Sequence, residues 1–170
     1  MGVHMYLGPM FAGKTSKMLE MYDNLGGIIL DYHESGLHTG IVMNHDWVAS
    51  SCIKTCSLCE ALPLVKDVTH IFINEGQFFG DLYEFILNIE STKSVYVFAL
   101  DGDFKRRPMG QIPDALALCD SVQKLKGRCN QCNNDSLFSK RIVDSTVQYL
   151  PDASAYVPLC RTCYTQKLSK

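Results

Sequence analysis

Short apolar runs alternate with stretches of helical periodicity through the first two thirds of the chain. Residues 3–7 read as a buried strand that runs straight into a glycine-rich loop. After the loop, Met18, Leu19, Tyr22 and Leu25 recur at helical spacing, and Gly26-Gly27 stops the pattern. Ile28 to Tyr32 predicts a second strand, residues 70–73 a third, and residues 94–100 (SVYVFAL) a fourth. Residues 34–46, rich in Gly, His and Asn, predict a loop or an irregular hairpin. Residues 59–66 predict a short helix limited by Pro63, and residues 79–89 a longer one. Strands alternating with helices predict an α/β fold: a mostly parallel sheet flanked by helices, with the chemistry at the strands' C-terminal ends.

The pattern changes near Lys124. From Arg128 onward the chain has short β-like pieces, turns such as Asn133-Asn134-Asp135, and too few apolar residues for a second large core. A small metal-stapled module is the natural reading. The expected division is therefore an α/β domain over residues 1–125 and a zinc-binding module over residues 126–170.

Composition changes this picture little. Hydrophobic residues make up 46% and charged residues 20%, as in an ordinary globular protein. A net charge of -2 provides no bulk attraction to nucleic acid or to an anionic membrane. No apolar run reaches the roughly 20 residues of a membrane helix. The glycine loop begins so early that no leader is expected, and the expected location is cytoplasmic.

Cysteine is the unusual count, with eight in the chain. Without a secretory signal, reduced thiols or metal ligands are expected rather than disulfides. Cys129-x-x-Cys132 and Cys160-x-x-Cys163 stand 27 residues apart, and each pair can place two thiolates on one metal. Two such knuckles close a tetrahedral sulfur site with no open position, which predicts structural zinc. The spacing of Cys52, Cys56 and Cys59 could hold an iron–sulfur cluster, but the chain is too short for the barrel such enzymes need. These three are expected to be small buried residues.

The loop itself, Gly8-Pro9-Met10-Phe11-Ala12-Gly13-Lys14-Thr15, matches G-x-x-x-x-G-K-[ST] between a strand and a helix. Backbone N–H groups in such a loop cradle phosphates at a helix N-terminus. Lys14 would neutralise the β- and γ-phosphates of ATP, and the Thr15 hydroxyl would ligate magnesium. The strand at residues 70–73 ends in Asn74-Glu75-Gly76-Gln77. Asn74 stands where an aspartate usually holds magnesium through water, and can coordinate only through its carbonyl. Glu75 can take a proton from an attacking hydroxyl, or merely cap the next helix. Phe104, with Lys105, Arg106 and Arg107, follows the fourth strand and could sandwich a base, or be a solvated turn.

Together these residues resemble the cellular-type (type II) thymidine kinases, a family also carried by poxviruses and other large DNA viruses. The likeness runs in order through residues 8–15, Glu75-Gly76-Gln77-Phe78-Phe79, Leu100-Asp101-Gly102 with Phe104, and Arg107-Pro108. It continues through Ser139-Lys140-Arg141 and the two cysteine pairs. The resemblance implies a RecA-like P-loop fold closed by a lasso-like loop on the zinc module. It implies transfer of the ATP γ-phosphoryl group to the 5′-hydroxyl of thymidine, with Glu75 as general base. Phe104 would face the thymine, Val147, Gln148, Tyr149, Leu150 and Pro151 would contact the base through the main chain, and Tyr156 would sit at the loop tip. A homotetramer is also implied.

Some positions depart from the family pattern. Asn74 replaces an aspartate, Ser35 and Leu37 replace an Asp-x-Arg, Pro151-Asp152 replaces a Gly-Gly, and Asp103 replaces a threonine. Pro151 has fixed φ and no N–H. Restoring aspartate at position 74 is expected to raise turnover. The alternative expectation is a catalytically weakened relative that still binds nucleotide and serves as a binding or assembly module. A third reading is a nucleic-acid-dependent ATPase carrying a zinc ribbon.

Overall fold

The computed structural model describes residues 1–166; the last four residues of the expected 126–170 module lie outside the described residues. Six parallel strands build the main sheet: β1 (Gly2–Leu7), β2 (Ile28–Tyr32), β4 (Ala49–Thr55), β5 (His70–Asn74), β6 (Ser94–Ala99) and β7 (Ser121–Lys124). A seventh, β3 (His38–Met43), pairs antiparallel with β4 at one edge. The lateral order is β3-β4-β2-β5-β6-β1-β7. The sheet is thus mixed α/β and mostly parallel, as the alternating pattern predicts.

Both faces of the central strands are covered, which is why they read as continuous apolar runs. On one face Ile29, Phe72, Tyr96 and Phe98 pack against Met18 and Leu19 of α1 (Lys14–Leu25). On the other, Leu30, Ile71, Ile73, Val95 and Val97 meet α2 (Leu82–Ile89), α3 (Ile112–Ala115) and a 3-10 turn at Cys59–Val65. Burying each such large side chain contributes about 1.5–3 kcal/mol. Among the described residues, no helix is long and apolar enough to cross a membrane.

Several expectations need adjustment. Leu25 is exposed, because α1 ends there at the Gly26-Gly27 break. Residues 34–46 belong to a real hairpin, but its second strand runs on to Thr55. The helix expected at residues 79–89 starts only at Leu82, since Gly76–Phe78 forms a separate 3-10 turn. Of the three upstream cysteines Cys52 is buried, Cys59 half-buried and Cys56 exposed.

After β7 the chain makes two small two-stranded sheets. β8 (Gly127–Arg128) pairs with β9 (Asp135–Ser136), and β10 (Phe138–Arg141) with β11 (Tyr156–Leu159). A short helix, α4 (Arg161–Thr165), follows.

Candidate active site

The glycine loop leaves the C-terminal end of β1 and enters α1 at Lys14. The Gly8 N–H donates to Ala99 O at 3.2 Å, tying the loop to the end of β6. Lys14 folds back over the loop, where its Nζ donates to Pro9 O at 2.8 Å and to Gly8 O at 3.3 Å. Burial pulls its ammonium below the usual lysine range, against the attraction of Glu75 and Asp101. The loop lines a cavity together with Glu75, Leu100, Tyr149, Asn44 and His45. The β3–β4 turn reaches this cavity because Asn44 Nδ2 donates to Ser16 Oγ at 3.0 Å.

Glu75 follows the last residue of β5 and has φ 55°, in the left-handed region. Phe11 and Trp47 near the same cleft also have positive φ, at 62° and 64°. Non-glycine residues in that region cost about 1–3 kcal/mol each and concentrate at functional sites. The Glu75 carboxylate is held from one side: Gln77 Nε2 donates to its Oε2 at 2.6 Å. The Gln77 carbonyl in turn accepts the Leu100 N–H at 3.0 Å, so both ends of this buried amide are fixed. Asn74 is buried and its Nδ2 donates to Asp31 Oδ1 at 2.8 Å; among the described residues its Oδ1 accepts no hydrogen bond.

A second, smaller cavity adjoins the first and shares Met10, Leu100 and Tyr149 with it. Phe104, Gln148 and Tyr156 line it as well, so four of the seven expected substrate residues meet there. Val147, Leu150 and Pro151 line neither cavity. The Tyr149 ring packs edge-on against Phe78 at 4.6 Å between centroids. Burial, then the charge of Glu75, raises the Tyr149 hydroxyl above its ordinary pKa.

Arg141 organises this side. Its guanidinium lies 3.8 Å from the centroid of the Phe104 ring and is buried. Nη1 donates to Ser145 O at 3.2 Å and to Val147 O, while Nη2 donates to Gln148 O at 3.1 Å and to Tyr156 Oη at 2.6 Å. The Leu150 N–H also donates to Tyr156 Oη, at 2.8 Å. Three of the main-chain groups expected to contact a base are therefore engaged within the protein.

The C-terminal elements press directly on the glycine loop. Ser139 Oγ accepts the Met10 N–H at 2.9 Å. A Cβ on Gly127 would stand 2.5 Å from Phe11 O, and one on Gly8 2.5 Å from Leu125 O. Only glycine permits approaches that close.

Cys129, Cys132, Cys160 and Cys163 bring their Sγ atoms within 4.8 Å of one another. Cys132 Sγ lies 3.7 Å from the Sγ of both Cys160 and Cys163. Zinc–sulfur bonds of about 2.3 Å in a tetrahedron give sulfur–sulfur edges of about 3.8 Å. The cluster fits zinc in both size and donor type. Burial raises the Cys129 thiol, but main-chain donors from Cys160, Gln131 and Cys132 outweigh it and bring it to about 6. Cys163 is pushed up to about 12, first by its hydrogen bond with the Cys160 thiol.

Sequence reasoning missed Asp31, Asn44 and the anchoring function of Gln77. A lone acid or amide at the end of an apolar run carries no motif. Arg141 was visible only as one basic residue among several.

The molecule is thus a mostly parallel α/β protein with a cleft at the strands' C-terminal ends and a C-terminal four-cysteine cluster. The sequence model of the family described as thymidine kinase matches residues 1–164, and the chain belongs to that family. It is 32% identical to the cytosolic thymidine kinase of Bos taurus, over 98% of this chain and 73% of the relative. It is 31% identical to the thymidine kinase of Myxoma virus (strain Uriarra), over 95% of each chain. Thymidine kinase a of Arabidopsis thaliana is 32% identical, over 95% of this chain and 74% of the relative.

Proposed function

We propose that the chain is an ATP-dependent thymidine kinase, transferring the γ-phosphoryl group of ATP to the 5′-hydroxyl of thymidine to give dTMP. The observation that carries this reading is the meeting of two cavities at Met10, Leu100 and Tyr149, with Glu75 lining the one formed by the glycine loop. Residues 8–15 act as a P-loop for the triphosphate, and Lys14 turns from the Gly8 and Pro9 carbonyls to the phosphates. The 5′-oxygen attacks the γ-phosphorus, its proton passes to the Glu75 carboxylate, and the bond to ADP breaks. Gln77 keeps the Glu75 carboxylate aimed at that proton. Thr15 Oγ1 and Asn74 Oδ1 would hold magnesium, which would supply charge neutralisation at the phosphates.

Phe104 faces the thymine, backed by the Arg141 guanidinium, with Tyr156 and Gln148 as further walls. Residues 147–151 act as the lasso. Because the Val147 and Gln148 carbonyls and the Leu150 N–H are engaged internally, main-chain recognition of the base falls to Tyr149 and the Gln148 N–H. Val147, Leu150 and Pro151 shape the loop. The division into residues 1–125 and 126–170, structural zinc on the four cysteines, a cytoplasmic location and a homotetramer complete this reading. The alternative of a weakened binding module draws no support from the comparisons.

A nucleoside screen with γ-labelled ATP tests the proposal. Label should pass to thymidine and not to purine nucleosides. Absence of transfer to thymidine at high enzyme concentration, with ATP still bound, would overturn it.

A further inference from the structure

Lys54, Asp31 and Asn74 lie in register across β4, β2 and β5, forming a row of polar side chains at the strands' C-terminal ends. Asp31 and Asn74 are each 6% exposed. Asp31 uses both carboxylate oxygens: Oδ2 pairs with the Lys54 ammonium, and Oδ1 accepts from Asn74 Nδ2 at 2.8 Å. An ionised carboxylate only accepts hydrogen bonds, whereas an amide has one accepting and one donating end. Asp31 therefore determines which end of Asn74 faces it. The NH2 turns toward Asp31, and among the described residues the oxygen accepts no hydrogen bond.

We propose that Asp31 is a positioning residue that makes residue 74 an obligatory neutral amide, carrying at β2 the negative charge missing from β5. By engaging the NH2, Asp31 would leave Asn74 Oδ1 available to magnesium when nucleotide is bound, a step that rests on the kinase reading above. An aspartate at 74 would set two buried carboxylates at hydrogen-bond distance with one lysine to share. Aspartate at this position is therefore harmful alone, the reverse of the expectation from sequence. It becomes tolerable once residue 31 is an amide that can donate to it.

The test is a double-mutant cycle on the full chain with Asn74→Asp, Asp31→Asn and the combined variant. In ligand-free protein, Asn74→Asp should lower Tm by about 5 °C or more, and the combined variant should recover several degrees relative to the summed single losses. Additive losses, or a single Asn74→Asp variant as stable as wild type, would overturn the pairing. The second readout is the magnesium concentration giving half of the ATP-induced rise in Tm. Asp31→Asn should raise it about tenfold or more, as loss of a partner behind a metal ligand does. An unchanged magnesium requirement beside a lowered Tm would make Asp31 merely structural and overturn the positioning role. Neither readout needs turnover, so a chain that fails to phosphorylate thymidine would sink the kinase reading while the cycle still decides the pair.

Discussion

Arg141 directs hydrogen bonds at three carbonyls and a hydroxyl while its plane covers an aromatic ring, a set of contacts that only a planar fork can make at once. A lysine there would keep the charge but leave carbonyls unpaired. Arg141→Lys is expected to raise KM for thymidine roughly ten- to hundredfold, since lost hydrogen bonds to a charged group cost about 1.5–3 kcal/mol. ATP affinity should stay within about twofold, because Arg141 does not line the cavity of the glycine loop. Steady-state kinetics with each substrate varied in turn checks this. Equal losses for both substrates would show a general unfolding of the site. Residues in rigid motifs, such as Lys14, Thr15 and the paired cysteines, were legible in the sequence because their spacing is itself the signal. Arg141 was not, because its partners lie in a loop whose path no local pattern encodes.

At the scale of elements, legibility followed burial. β1, β2, β5 and β6 are covered on both faces or nearly so, and their apolar runs announced them. β7 (SVQK) is exposed throughout, and β3 buries only Val42, so neither carries an apolar pattern. Sheet pairing rather than side-chain burial holds them. The late start of α2 has a similar cause. Asp81, just before it, accepts hydrogen bonds from Ser57 Oγ at 2.7 Å, Leu58 N at 3.1 Å and Cys59 N at 2.9 Å, tying α2 to the 3-10 turn. Burial raises the Asp81 carboxyl, but these donors prevail and hold it below its ordinary 3.8. A lowered folded-state pKa stabilises above the unfolded value and is lost as pH falls through the folded one. The Tm gap between wild type and Asp81→Asn should therefore be constant near neutrality and shrink below about pH 4. A gap independent of pH from 7 down to 3 would remove the carboxylate from this account.

The whole molecule depends on the C-terminal segment leaning against the glycine loop. Ser139 meets Met10, Gly127 passes Phe11, and the Tyr164 hydroxyl donates to Phe104 O. A four-cysteine knot that holds those contacts together should matter to the acceptor before it matters to ATP. Structural zinc contributes about 10–16 kcal/mol in small metal-folded domains. Removing metal with a chelator, or Cys132→Ser, is expected to lower Tm and raise KM for thymidine at least tenfold, with metal analysis giving about one zinc per chain beforehand. A metal-free protein with unchanged thymidine KM would contradict the coupling.

The central claim is that this cleft moves a phosphoryl group to the thymidine hydroxyl with Glu75 taking the proton. Its most direct test is the rate of dTMP formation from saturating Mg-ATP and thymidine by wild type and Glu75→Gln, with ATP binding measured alongside. The account predicts turnover by wild type, a loss of roughly 100-fold or more in the variant, and ATP binding retained in both. A variant that turns over at the wild-type rate, or a wild type that makes no dTMP, would contradict it.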